Sequence, residues 1–223
     1  NQINQTMEKK KQSNPINRRR FLQTGSTFVA AAMFSPIGVS KTFGAHGSLW
    51  KKNSIPAVIL NNGIKMPLLG FGTNTLKGET CIRSVSEAIS LGYRLIDTAT
   101  IYGNEEFVGG GIKRSSINRE ELFITSKVWV DDSGYDKARK AFEISLNKLG
   151  TDYLDLYLIH RPRGDVKGSW QAMEALYKEG RIRSIGVSNF LPHQLDELMS
   201  YARIKPVVNQ IETHAFFQQF KAY

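Results

Sequence analysis

The sequence predicts an α/β fold in which parallel strands curl into a barrel. Three observations carry that prediction. Short apolar runs alternate with helical patterns, and glycines stand at several of the joints. Three successive runs each end in an ionisable side chain, Asp97, Lys127 or His160. In a parallel barrel the C-terminal ends of all strands share one face, and that face carries the chemistry. Residues 97, 127 and 160 are therefore expected to converge, with Tyr102 in the loop just beyond the first of them.

Taken in order, residues 57–60 and 64–66 flank Asn62-Gly63 and read as a hairpin with a tight turn on positive φ angles. Residues 68–73 read as the first barrel strand. Its Gly70-Phe71-Gly72 opens like a dinucleotide fingerprint, but the third glycine is missing, since the pattern ends in Thr75. Glycines here are read instead as letting ligands approach the backbone. A helix over about residues 79–91 places Ile82, Val85, Ala88 and Ile89 at helical spacing and stops at Gly92; Cys81 within it reads as packing or surface. The second strand ends at Asp97. The next helix takes Asn104 as its N-cap. Its Gly109-Gly110-Gly111 run costs about 2–3 kcal/mol against alanine, so a short or mobile helix is expected.

The third strand ends at Lys127. The helix after it aligns Ala138, Phe142, Leu146 and Leu149 on one face and ends at Gly150. The fourth strand carries Asp155 within an apolar run and ends at His160. A helix over about 170–178, closed by Gly180, leads to a strand over 182–187 that ends in Ser188-Asn189. A helix over about 193–201, with Pro192 in its first turn, precedes a strand over 207–212 that carries Gln210. His193 and His214 read as surface residues and Tyr157 as core.

The chain has 223 residues, enough to bury a sizeable core, and a net charge of +10. That charge is uneven. Residues 1–52 hold nine Lys/Arg against one acid, Glu8, whereas the rest holds 21 basic and 19 acidic residues. A nearly neutral body excludes a phosphate-binding surface as its main function, and nucleic acid is not expected as a partner. The single cysteine excludes an internal disulfide. His160, His193 and His214 lack the spacing of zinc ligands, so no metal site is expected.

Residues 1–17 are polar without hydrophobic periodicity and are expected to be disordered. Asn17-Arg18-Arg19-Arg20-Phe21-Leu22 then opens a moderately apolar run, uncharged to Ser40 and interrupted by Pro36. A membrane span needs about 20 predominantly apolar residues, so this run fits a removable signal better. Arginines followed by Phe-Leu resemble a twin-arginine export signal, which implies the twin-arginine machinery as partner, transient membrane contact and a periplasmic destination. A basic tail beside a short helix, or a retained anchor, are the alternatives. The expected organisation is a tail and signal over residues 1–52 and a barrel domain over 53–223.

The convergence makes chemical sense. A tyrosine near its ordinary pKa of about 10 is a poor proton donor at neutral pH, and a nearby ammonium lowers that pKa. Asp97 can pair with Lys127, and His160 can hydrogen-bond a substrate oxygen. Any one of these alone could be a helix cap or a satisfied buried polar group. Together they could protonate a carbonyl oxygen while a hydride arrives at carbon.

Leu95-Ile96-Asp97-Thr98-Ala99, Tyr102-Gly103-Asn104-Glu105, Ile124-Thr125-Ser126-Lys127-Val128-Trp129, Leu156-Tyr157-Leu158-Ile159-His160 and Ile185-Gly186-Val187-Ser188-Asn189-Phe190 resemble the signatures of the aldo-keto reductase family, in the family's order. The resemblance runs from about residue 55 to the end of the chain. It implies a (β/α)8 TIM barrel with a hairpin plugging its N-terminal end, NADP(H) as cofactor, and reduction of a small aldehyde or ketone to an alcohol. It implies catalytic roles for Asp97, Tyr102, Lys127 and His160, with Tyr102 as proton donor. It implies that Ser188, Asn189 and Gln210 hold the nicotinamide carboxamide, with Gly72 and Thr73 also on the cofactor.

Two departures stand out. Arg161 precedes Pro162 where the family commonly has tryptophan; it reads as reaching solvent, with attraction of an anionic substrate as the alternative. Asn74 stands where many members place a pocket tryptophan, which argues against a preference for aromatic substrates. About six strand–helix units are counted where a closed barrel needs eight, so the chain is expected to be a fragment of a longer protein. A non-catalytic nucleotide-binding subunit, or an inactive fragment of the same fold, is the alternative function.

Overall fold

The computed structural model describes residues 55–219. The expected tail and export signal, residues 1–52, lie outside the described residues. The hairpin pairs β1 (Ala57–Ile59) with β2 (Lys65–Pro67) antiparallel. Six parallel strands follow: β3 (Gly70–Gly72), β4 (Leu95–Asp97), β5 (Phe123–Val128), β6 (Leu156–Ile159), β7 (Ile185–Ser188) and β8 (Asn209–Gln210). They are hydrogen-bonded in chain order, each to the next. Between them run α1 (Gly78–Ser90), α2 (Glu105–Ser115), α3 (Tyr135–Leu149), α4 (Val166–Lys178) and α5 (Pro192–Tyr201). Sequential parallel neighbours joined by helices form the wall of a (β/α)8 barrel. Among the described residues, β3 and β8 each pair on one side only. The outer strands are shorter than their apolar runs, with β8 reduced to two residues.

The main core lies between strands and helices. α1 buries Cys81, Val85, Ala88 and Ile89, and α3 buries Ala138, Ala141, Phe142, Leu146 and Leu149. Cys81 is fully buried, so packing is its role, and burial pushes its thiol pKa up. A second cluster joins the hairpin's Leu60, Ile64 and Met66 to Leu95, Phe123, Leu156 and Leu158 of the strands. Asn62 donates to Arg183 O and Ser184 Oγ at 3.1 Å, and Asn61 to Pro206 O. The hairpin therefore seats on the residues that lead into β7 and β8. Asp155, the acid inside an apolar run, is buried beside β6. It meets Arg119 at 2.8 Å, Arg183 at 3.0 Å and the Ile124 amide at 2.9 Å.

Three local expectations are corrected. At the hairpin only Gly63 has positive φ; its N–H reaches Leu60 O while Leu60 N–H reaches Ile64 O. That is a three-residue loop with a glycine bulge, not a two-residue primed turn. α4 begins at Val166 because Asp165 accepts from Gly168 N at 2.7 Å, a cap that the apolar pattern alone did not reveal. α2 runs through the glycine triplet for its full 11 residues. A Cβ on Gly109 would lie 2.7 Å from the carbonyls of Lys148 and Leu149, and one on Gly111 would lie 2.7 Å from Ile82 O. These glycines let α2 press against its neighbours, and that packing offsets their poor propensity.

Candidate active site

The site lies where β4, β5, β6 and β8 end. Strand periodicity turns Lys127 and Ser126 to opposite faces of β5. Ser126 donates to buried Glu105 on the helix side at 2.6 Å, while Lys127 reaches Asp97 across the strand ends. Its Nζ is 2.5 Å from Asp97 Oδ1 and 3.0 Å from Thr98 O, and its side chain is 1% exposed. The other Asp97 oxygen accepts from Gln210 Nε2 at 3.0 Å. A single carboxylate thus ties β4, β5 and β8 together.

Tyr102 ends a 3-10 turn, Thr100–Tyr102, directly after β4. Several bonds fix that turn. Thr100 Oγ1 donates to Lys127 O at 3.0 Å, and Lys77 donates to Tyr102 O. Asn104, fully buried, was expected to cap α2. Its side chain makes no cap bond; Nδ2 donates to Thr73 O at 2.7 Å and Leu76 O at 3.1 Å, and Oδ1 accepts from Thr98 Oγ1 at 2.9 Å. Asn104 is thus a tie between the loops after β3 and β4. The Lys127 ammonium lies 5.2 Å from the centre of the Tyr102 ring.

His160 stands between two aromatic rings. Tyr102 meets it edge to face at 5.6 Å between centroids, and Trp129 meets it at 5.1 Å. Its Nδ1 is buried without a hydrogen-bond partner among the described residues. Burial, aided by the charges of Lys127 and Arg161, pulls its pKa down to about 4, so the imidazole is neutral at neutral pH. Burial also pushes Lys127 below its ordinary value, against the pull of Asp97.

Tyr102 departs from expectation. Burial first, then the charge of Asp97, hold its phenol above the ordinary value, with Arg161 opposing. The phenol therefore keeps its proton at neutral pH.

Of the residues expected around a nicotinamide, Ser188, Asn189 and Gln210 gather at the ends of neighbouring β7 and β8. Asn189 takes φ +61, a left-handed conformation that few non-glycine residues adopt. Its Nδ2 donates to His160 O at 3.1 Å and to Ser188 Oγ at 2.8 Å. Two amides and a hydroxyl supply both the donors and the acceptors that a carboxamide needs, so these residues fit such a group. Gly72 pairs in register with Asp97 at the open mouth, and a Cβ there would meet nothing within 4 Å. Crowding among the described residues does not demand this glycine. Thr73 is fully buried, and both its amide and its Oγ1 donate to Asp97 O at 3.0 Å. It supports the mouth from below.

Sequence reasoning quoted Trp129 only within a family signature and did not single out Arg163 or Lys77. Trp129 stands two residues beyond Lys127 and so shares its face, a signal that period-two reading could have used. Lys77 and Arg163 sit in loops with no periodicity to mark them.

A family model described as the aldo/keto reductase family matches residues 68–222. The glyoxal reductase of Bacillus subtilis (strain 168) is 57% identical over 159 residues, 70% of this chain and 58% of that protein. A crystal structure of an aldo/keto reductase from Brucella melitensis matches with TM-score 0.73 at 48% identity, covering 76% of this chain and 67% of that one. One of a Bombyx mori aldo-keto reductase in complex with NADP matches with TM-score 0.66 at 42% identity, covering 71% and 58%. The chain therefore spans less than two thirds of the length of the Bacillus protein. Ordered strands, motifs at their ends and a match across most of the chain agree: it belongs to the aldo/keto reductase family.

Proposed function

We propose that the protein is an NADPH-dependent oxidoreductase that reduces aldehyde or ketone carbonyls to alcohols, with Tyr102 as proton donor. The observation that carries this reading is the buried Lys127–Asp97 pair beside Tyr102 and His160 at one strand mouth. When bound, the reduced nicotinamide supplies a hydride to the carbonyl carbon. Tyr102, protonated at neutral pH, gives its proton to the carbonyl oxygen and is left as phenolate. The Lys127 ammonium favours that phenolate, and in a site shielded from water its attraction is stronger than in solvent. Asp97 and Thr98 O hold the ammonium in place. The neutral imidazole of His160 offers an N–H to the carbonyl oxygen and orients it.

Ser188, Asn189 and Gln210 hold the carboxamide, and Gln210 exchanges its bond to Asp97 to do so. The names of the Bacillus glyoxal reductase and of the Bombyx complex with NADP support the reaction class and the cofactor.

The test is NADPH consumption by the complete protein with a panel of aldehydes and ketones, with the alcohol measured in parallel. Equimolar NADPH loss and alcohol formation are expected. NADPH binding without consumption on any member of the panel would favour the regulatory, non-catalytic alternative.

We also propose that Arg18, Arg19 and Arg20 with Phe21-Leu22 direct folded protein to the periplasm by the twin-arginine route. Periplasmic recovery of the parent, lost when the three arginines become lysines, is expected. A parent found only in cytosol with its N-terminus intact would contradict it.

A further inference from the structure

Beside the catalytic pair is a second feature that this reaction does not require. A cavity of about 500 Å³ is lined by Trp129, Val130, Asp131, Arg161 and Arg163. Its walls come from the loops after β5 and β6, at the same end of the barrel as the site. Trp129 forms one wall and packs against His160, and Arg161 directly follows His160 in the chain. The loop is folded tightly, with Arg163 N donating to Arg161 O at 2.8 Å, and both arginines, though exposed, line the cavity.

Among the described residues neither guanidinium forms a salt bridge, and the cavity's carboxylate, Asp131, is likewise unpaired. Asp165 in the same loop is engaged in capping α4. The lining therefore carries two positive charges and one negative charge. The cavity adjoins the site through Trp129, whose ring lies 5.1 Å from the imidazole of His160.

We propose that this cavity is an anion-binding subsite, so that the site prefers carbonyl substrates bearing a carboxylate, such as oxo acids and aldehyde acids, over neutral ones of equal size. The proposal rests on the carbonyl-reductase reading. Guanidinium groups suit the task, because their planar donors match a carboxylate in bidentate geometry. Trp129 supplies the apolar wall for the carbon chain between carbonyl and carboxylate. Tryptophan, where the family commonly has it at position 161, would leave the cavity without this charge; here the departure creates it.

Two measurements on the complete protein test the idea. One is the ratio of kcat/KM for 4-oxobutanoate to that for butanal. The parent should prefer the carboxylate by at least about tenfold. Arg161→Gln/Arg163→Gln should lower that ratio at least tenfold, and Asp131→Asn should raise it. A ratio that moves less than about twofold in either variant would overturn the subsite. The other needs no turnover: quenching of tryptophan fluorescence by 4-hydroxybutanoate, with 1-butanol as the neutral control and no nucleotide present. Binding of the acid that weakens at least fivefold in the double arginine variant supports the subsite even if carbonyl reduction is absent. Turnover without discrimination, or equal binding of acid and alcohol, leaves the reductase reading standing and removes the subsite.

Discussion

Lys127 Nζ and Asp97 Oδ1 lie 2.5 Å apart, with the lysine side chain 1% exposed and the aspartate 15%. The pair bridges adjacent strands, and its ammonium lies 5.2 Å from the centre of the Tyr102 ring, which in turn meets His160 edge to face. An ammonium this deep is stable only with its counter-charge, since desolvation of both ions opposes burial.

Removing one partner should therefore cost more than removing both. Asp97→Asn leaves a buried ammonium without its charge partner and should lower unfolding free energy by about 3 kcal/mol. Asp97→Asn combined with Lys127→Met should recover at least about 1 kcal/mol of that loss. Urea unfolding of the two single variants and the double variant measures both. Strict additivity would show that the pair is not coupled.

His160 sets a pH dependence of stability. Its pKa is about 4 in the folded protein and about 6.5 when unfolded. Between those values the unfolded chain binds a proton that the folded one refuses. The contribution of the neutral imidazole is fully present above pH 6.5 and is lost as pH falls towards 4. Allowing for solvent at the mouth, the loss is about 1–2 kcal/mol. Unfolding at pH 7 and pH 4.5 should show the parent losing that much more than His160→Gln. Equal losses would place the imidazole in contact with bulk water.

The glycine triplet of α2 should sort by position. Alanine usually stabilises a helix over glycine by about 1 kcal/mol. Gly110→Ala should follow that rule, because its Cβ would meet only Ile82 atoms at 3.4 Å or beyond. Gly109→Ala and Gly111→Ala should destabilise by about 2 kcal/mol or more, because each Cβ would overlap a backbone carbonyl at 2.7 Å. Thermal unfolding of the three variants reads the contrast. A uniform gain across all three would mean that the helices can part without cost.

What the sequence made legible was the positions at strand ends. Apolar runs ending in Asp97, Lys127 and His160 announce themselves, and parallel strands can only bring them to one face. The strand order β3 to β8 follows from the same rule. What stayed hidden depends on partners distant in sequence. Asn104 looks like a cap until Thr73 O and Leu76 O are seen beside it. The glycine triplet looks like a weakness until Leu149 and Ile82 are seen against it. The direction of the Tyr102 shift was misread because the phenol's own burial, and the charge of Asp97, were not visible in the chain. Arg161 has two readings in the sequence, and the cavity it lines with Arg163 is visible only in the fold.

In the proposed reaction the Tyr102 hydroxyl delivers the proton. The direct test is kcat for carbonyl reduction by Tyr102→Phe, with NADPH affinity measured on the same sample. A fall of at least about a thousandfold in kcat is expected, with the NADPH Kd held within about threefold. A variant that binds NADPH and retains kcat within about tenfold of the parent would contradict it.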